Sequence, residues 1–252
     1  MTRYSNETVW VIGASSGIGL ALAQRLANEG ARLIVSARNA ASLGQFVAQH
    51  GTQHIAAPLD IHDPTALQKT AEQLWQQCGT IHRVIFMAAL YQPMKLTELD
   101  MQQTRDIIEV NLTSVFELVH VLLPKLIAQP RAQLALCGSV AGYTGLPSGQ
   151  PYSATKAAII NLAESLHAEA PNHLDIKLIN PGFVRTPLTD KNNFAMPMII
   201  TPERAAQYIA DGLRTKRFEI HFPKGFTRLL KLLRILPYGI RLWIAKKTEG
   251  NQ

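Results

Sequence analysis

The chain has 252 residues, 47% of them hydrophobic and 17% charged, with 16 glycines and 14 prolines, a globular composition that excludes disordered, collagenous and low-complexity classes. Two cysteines, Cys78 and Cys137, are too few for a disulfide scaffold and fit a reducing compartment, so a cytoplasmic location is expected. The formal net charge of +7 sits at the carboxyl end: residues 223–252 hold seven Lys or Arg against one Glu, and residues 1–222 hold 18 basic against 17 acidic side chains.

A neutral body with a basic tail argues against nucleic acid as the partner, because a nucleic-acid enzyme would carry its basic and aromatic residues around the main groove. No uninterrupted run of about 20 apolar residues occurs, and the opening MTRYSNETVW lacks the layout of a secretory signal. Neither membrane spanning nor export is expected.

In chain order, apolar runs of strand length alternate with stretches of helical periodicity. Strands are expected over 8–12, 32–36, 54–57, 83–88, 133–137 and 175–180, and helices over 18–29, 40–50, 64–77, 102–128 and 152–170. Strands apolar on both faces and separated by helices imply a parallel sheet with right-handed crossovers, hence a doubly wound, three-layer α/β fold of Rossmann type. A proline-punctuated loop, 181–201, follows, with an apolar run over 194–200 that reads as a lid or an interface. Then come a helix opened by Pro202 and a last strand over 218–222.

The first strand runs into Gly13-Ala14-Ser15-Ser16-Gly17-Ile18-Gly19 and then a helix. Glycines there allow a tight turn and let backbone N–H groups approach a pyrophosphate at the positive helix end. A second cluster, Tyr152-Ser153-Ala154-Thr155-Lys156, opens a helix so that Tyr152 and Lys156 share one face. An adjacent ammonium would lower the tyrosine pKa by stabilising the phenolate. Thirteen residues before Tyr152, Ser139 follows a strand at its carboxyl end, where ligands bind in open α/β sheets, and can donate to a carbonyl oxygen.

The GxxxGxG spacing, the YxxxK pair and the upstream serine, in this order, make the chain resemble the short-chain dehydrogenases/reductases over nearly all of residues 7–222. That resemblance implies a catalytic set of Asn111, Ser139, Tyr152 and Lys156, with Asn111 holding a water that links the lysine to solvent. It implies a cofactor site built from Gly13, Ser15, Ser16, Gly17, Ile18 and Gly19, with Asp60 at the adenine and Ala88 near the adenosine half. Tyr152 and Lys156 would reach the cofactor too. Pro181, Gly182, Val184 and Thr186 would lie beside the nicotinamide. Two departures occur together: Ile12 stands where the family has threonine, and Phe86-Met87-Ala88-Ala89 stands where it has NNAG. Exchanging both sides of a polar contact for apolar groups can be nearly neutral, so repacking is expected there.

After the second strand, Ser36-Ala37-Arg38-Asn39 offers no acid for the ribose hydroxyls, and Arg38 suits a 2′-phosphate, so NADP(H) is expected in preference to NAD(H). No metal is expected: the histidines form no HExxH or HxxxH pair on one helix, and neither cysteine belongs to a CxxC. The tail sets Arg228, Lys231 and Arg234 three apart among leucines, breaks at Pro237 to Gly239, and ends with Trp243 and two lysines. This suits an anionic membrane surface, and the alternative is a helix packed on the body or on a second subunit.

The expected activity is interconversion of a hydrophobic, lipid-like carbonyl compound and an alcohol by a homo-oligomer. Its Rossmann-type domain would span residues 1–222 and its basic amphipathic segment 223–252. The rival is a non-catalytic cofactor-sensing or scaffold protein of the same fold.

Overall fold

Along Thr8–Ile12 (β1) side chains alternate between two apolar layers: Trp10 and Ile12 join one, Val9 and Val11 the other, and all four are buried. A strand buried on both faces needs helices on both sides of its sheet. The computed structural model describes residues 3–192 and 194–249. After β1 come α1 (Gly17–Asn28), β2 (Arg32–Ser36), α2 (Ala40–His50), β3 (Ile55–Ala56), α3 (Pro64–Cys78), β4 (Arg83–Phe86), α4 (Met101–Ile108) and α5 (Ser114–Ile127). They are followed by β5 (Ala132–Cys137), α6 (Tyr152–Glu169), β6 (Leu174–Pro181), α7 (Pro202–Leu213), β7 (Glu219–Phe222), α8 (Lys224–Ile235) and α9 (Tyr238–Glu249).

The strands form one parallel sheet in the order β3-β2-β1-β4-β5-β6-β7. Helices α3, α5 and α6 cover one face through Leu67, Leu118, Leu122 and Ile159. The other face is covered by α1, α2 and α7 through Leu22, Phe46 and Ile209. Each such side chain, fully buried, contributes about 1.5–3 kcal/mol. Local chemistry sets the helix starts. The side chains of Asn39, Asp63 and Thr201 accept from the first turns of α2, α3 and α7, and Pro64 and Pro202 sit where a missing N–H costs nothing.

Most element ends fall within a residue of the sequence reading, and three elements differ from it for a visible reason. The third strand is two residues because the His54 ring Nδ1, rather than its backbone, accepts from Leu33 N at 3.0 Å. The fourth strand ends at Phe86 because the chain turns at Met87 and Ala88 to cross the Gly13 turn. The single helix expected over 102–128 is two, joined by a π-turn at Glu109–Thr113, the kind of local widening that recurs at functional sites.

In the tail, α8 and α9 appear on either side of Pro237. Phe226 and Leu230 pack on the core, and Thr227 is buried. One turn on, Leu229, Leu232 and Ile235 are 55%, 61% and 78% exposed. Of the two tail lysines, Lys247 carries a side chain outside the described ones.

Candidate active site

Between β1 and β4 the sheet order reverses direction, which opens a crevice at the carboxyl ends of the strands. The turn after β1 is pressed into it. Gly13 has φ +94°, and a Cβ there would lie 2.5 Å from Ala88 N; at Gly19 a Cβ would lie 2.1 Å from Gly13 O. Only glycine permits this approach of turn, loop and helix. Because α1 begins at Gly17, its first-turn N–H groups have no intrahelical acceptor and can receive an anion.

A cavity of about 430 Å³ fills the crevice. Its walls bring together Gly13, Ser15, Ser16, Gly17, Ile18 and Gly19 with Arg38, Asp60 and Ala88, then Ser139, Tyr152 and Lys156, and finally Pro181, Gly182, Val184 and Thr186. Among the described residues no group of three or more metal-ligating side chains assembles.

Tyr152 and Lys156 lie one turn apart at the start of α6, with Lys156 Nζ 5.5 Å from the Tyr152 ring centroid. The ammonium donates to the Cys137 carbonyl at 2.8 Å, which anchors it at the end of β5. Ser139 caps the short turn Val140–Gly142, its Oγ accepting from Ala141 N at 3.1 Å. The expectation of a lowered tyrosine pKa is corrected. Burial pushes the Tyr152 phenol well above its ordinary value; the neighbouring Cys137 and Tyr91 add to this, and a hydrogen bond from Ser139 only partly opposes it. Burial also pulls Lys156 below its ordinary value and raises the Cys137 thiol. Burial thus favours the neutral phenol over the phenolate.

Asn111 lies in the π-turn between α4 and α5, next to the cavity-lining Val110. Its Oδ1 accepts from Leu90 N at 2.7 Å, and its Nδ2 donates to Leu90 O at 2.8 Å and Thr155 Oγ1 at 3.3 Å. With the amide so engaged, the side chain ties the loop after β4 to α6. The paired departures at Ile12 and Phe86 do meet. These residues are register partners in β1 and β4, 2% and 3% exposed, in one apolar cluster. Arg38 is exposed at the cavity edge. At Asp60 burial acts to raise the pKa, but the His62 N–H and ring outweigh it and hold the carboxyl below its ordinary value.

The sequence reading missed Tyr91, whose ring stands edge-on to Tyr152 with centroids 4.9 Å apart. Its hydroxyl donates to Asn192 Oδ1 at 2.7 Å, and Lys191 Nζ donates to its carbonyl at 2.8 Å. The segment after β6 is thus fastened over the site. At its base Arg185 N donates to Ile200 O and Ile200 N to Phe183 O. Phe183 touches Phe194 in this segment and Phe226 in α8. A tyrosine in the loop after the fourth strand is no signal by itself, and only the apolar run over 194–200 hints at a covering element.

Residues 7–196 match the family model of short chain dehydrogenases, and the chain belongs to that family. It is 28% identical over 241 residues to an uncharacterized oxidoreductase of Myxococcus xanthus, covering 94% of this chain and 95% of the other. It is also 28% identical over 191 residues to the 3-oxoacyl-[acyl-carrier-protein] reductase of Escherichia coli, covering 74% and 77%. A short chain dehydrogenase/reductase from Burkholderia phymatum, solved in complex with NAD, superposes with a TM-score of 0.83 at 22% identity, over 92% of this chain and 94% of that one. The chain is an oxidoreductase of this family.

Proposed function

We propose that the protein is an NADP(H)-dependent reductase of a hydrophobic carbonyl compound, with Ser139, Tyr152 and Lys156 as its catalytic residues. The observation that carries this reading is convergence: the three side chains share one cavity with the glycine turn and with Arg38. The cradle suits a dinucleotide, since the Gly13–Gly19 turn and the start of α1 line the cavity and glycine at 13 and 19 lets that turn pack against Ala88 and α1. The Gly13–Gly19 turn would hold the pyrophosphate, Arg38 the 2′-phosphate, and Pro181, Gly182, Val184 and Thr186 the nicotinamide end, with Asp60 and Ala88 on the adenosine side. When bound, the cofactor supplies hydride. Ser139 and Tyr152 hold the carbonyl oxygen, and Tyr152 Oη gives up its proton to it. The buried Lys156 ammonium stabilises the phenolate left behind. Asn111 acts by fixing the loop after β4 against α6.

A 3-oxoacyl compound is the substrate class that the Escherichia coli relative suggests, and the apolar Phe183–Phe194–Phe226 group beside the cavity suits a greasy chain. The basic, leucine-exposing α8 supports attachment to the cytoplasmic face of an anionic membrane. We treat residues 1–222 as the oxidoreductase domain and 223–252 as this attachment segment. The test is NADPH oxidation against aldehydes, ketones and 3-oxo esters of graded chain length. Tyr152→Phe should abolish turnover and retain NADPH binding, and a variant active within a few-fold of the parent would defeat the assignment. A parent that binds NADPH and reduces nothing would favour the cofactor-sensing rival.

A further inference from the structure

Glu219, the first residue of β7, has a half-buried carboxylate that accepts from three separate parts of the chain. Tyr143 Oη donates to Oε1 at 2.6 Å, Asn180 Nδ2 donates to Oε1 at 2.8 Å, and Lys231 Nζ donates to Oε2. An ionised carboxylate can only accept, so three donors satisfy it without competition. Each donor belongs to a different functional segment. Tyr143 closes the short turn that Ser139 caps, with its N–H on Val140 O. Asn180 immediately precedes Pro181 and Gly182, and Lys231 lies on α8.

The carboxylate also dictates how Asn180 is turned. The amide must present its NH2 to Glu219, which leaves Oδ1 facing Gly138, where a Cβ would come within 2.4 Å of it. That Oδ1 is buried with no hydrogen-bond partner. A buried carbonyl left unpaired is costly, and it persists only if the surroundings impose it. Here the imposed contact is with the backbone one residue before Ser139. Glu219 thus grips the Ser139 turn from both sides, through Tyr143 after it and Asn180 against Gly138.

We propose that Glu219 is a positioning residue through which helix α8 sets the placement of Ser139. It touches neither cavity nor reacting atoms among the described contacts. Its effect is to hold the serine hydroxyl where the substrate oxygen is polarised, and Lys231 makes that hold depend on how α8 is docked. The inference rests on the reading of Ser139 and Tyr152 given above.

The experiment measures kcat, KM, NADPH affinity and Tm for the full chain and for Glu219→Gln, Lys231→Met, Tyr143→Phe and the Glu219→Gln/Lys231→Met pair, on the best carbonyl substrate of the graded panel. Glutamine keeps the shape but turns a donor toward one of the three donors. The expected result is a fall in kcat of about tenfold for Glu219→Gln and about threefold for Lys231→Met and for Tyr143→Phe, with KM and NADPH affinity within twofold. The double variant should be no worse than Glu219→Gln alone, because both changes cut one tether. A lowered Tm with kcat per folded molecule unchanged, or multiplicative losses in the double variant, would overturn the inference. If Tyr152→Phe is inactive while Glu219→Gln is not slowed, only this inference falls. If Tyr152→Phe is active, or the parent reduces none of the panel, the reading of the site falls and this inference with it.

Discussion

Tyr91 presents the edge of its ring to Tyr152 at 4.9 Å between centroids and 70° between planes, while its hydroxyl donates to Asn192 in the segment that covers the site. One side chain thus contacts both the proposed proton donor and the covering segment. The two contacts can be separated by mutation. Tyr91→Phe removes only the hydrogen bond, whose net value is about 1 kcal/mol, so KM for the carbonyl compound should rise roughly fivefold with kcat nearly unchanged. Tyr91→Ala also removes the edge-to-face contact, about 0.5–1.5 kcal/mol, and should lower kcat as well. Steady-state kinetics on both variants check this, and equal effects on kcat in the two would contradict it.

The Gly13 turn should tolerate no side chain. For Gly13→Ala, the methyl group would overlap Ala88 N at 2.5 Å in a left-handed backbone, a combination of overpacking at about 1–3 kcal/mol and backbone strain at about 1–3 kcal/mol. The expected outcome is a lower Tm together with loss of NADPH binding, read by thermal melts and by fluorescence titration. Unchanged NADPH affinity would show that the turn does not hold the pyrophosphate.

Arg38 is the proposed reader of the 2′-phosphate. A hydrogen bond to a charged group is worth about 1.5–3 kcal/mol, so Arg38→Asp should weaken NADPH binding roughly ten- to a hundredfold and NADH binding far less. Titration of both nucleotides decides the matter, and equal losses would remove Arg38 from that role.

The parts of this site legible in sequence are those whose meaning is local. The glycine turn directly joins a strand to a helix, and Tyr152 and Lys156 need only one helical turn to meet. What escaped depends on distant partners. Asn111 spends its amide on Leu90, 21 residues away, and that choice accompanies the π-turn that divides the helix expected over 102–128. Glu219 gathers Tyr143 from 76 residues away and Asn180 from 39, which no local pattern announces. The pKa of Tyr152 escaped for another reason: spacing shows a lysine nearby, but only the packed structure shows that burial of the phenol is the largest influence on it.

Stability should fall on mild acidification. The His221 pKa is held below its ordinary 6.5 by burial and then by Lys231, with Lys224 and Arg228 acting the same way and Glu219 opposing. His54 is lowered by burial and by His50, against an opposing backbone hydrogen bond. A histidine whose folded pKa is depressed binds its proton more readily unfolded, so its stabilisation is complete above about pH 6.5 and is lost as pH falls toward the folded value. Urea midpoints measured from pH 8 to pH 5 should therefore decline below about 6.5. His221→Gln, which cannot charge beside Lys231, should flatten that decline. A midpoint that rises on acidification would contradict the assignment.

The exposed face of α8 is the remaining asymmetry, because Phe226 and Leu230 already serve the core while Leu229, Leu232 and Ile235 face outward. Arg228, Lys231 and Arg234 form the adjoining row, and Lys231 is engaged by Glu219. Each cation near an anionic bilayer adds about 1 kcal/mol, so the remaining cations with inserted leucines suffice for salt-sensitive, reversible attachment. Truncation before α8 would be a poor probe, since it strips Phe226 and Leu230 from the core and Lys231 from Glu219. Leu232→Asp and Ile235→Asp alter only exposed positions. The full chain should co-sediment with phosphatidylserine vesicles at low salt, less at high salt, and not with phosphatidylcholine vesicles. The two variants should lose vesicle binding while keeping NADPH affinity and turnover of a small soluble carbonyl compound. If the full chain ignores the vesicles and the variants instead reduce its oligomeric state in light scattering, the face is a contact between subunits and the membrane reading is wrong.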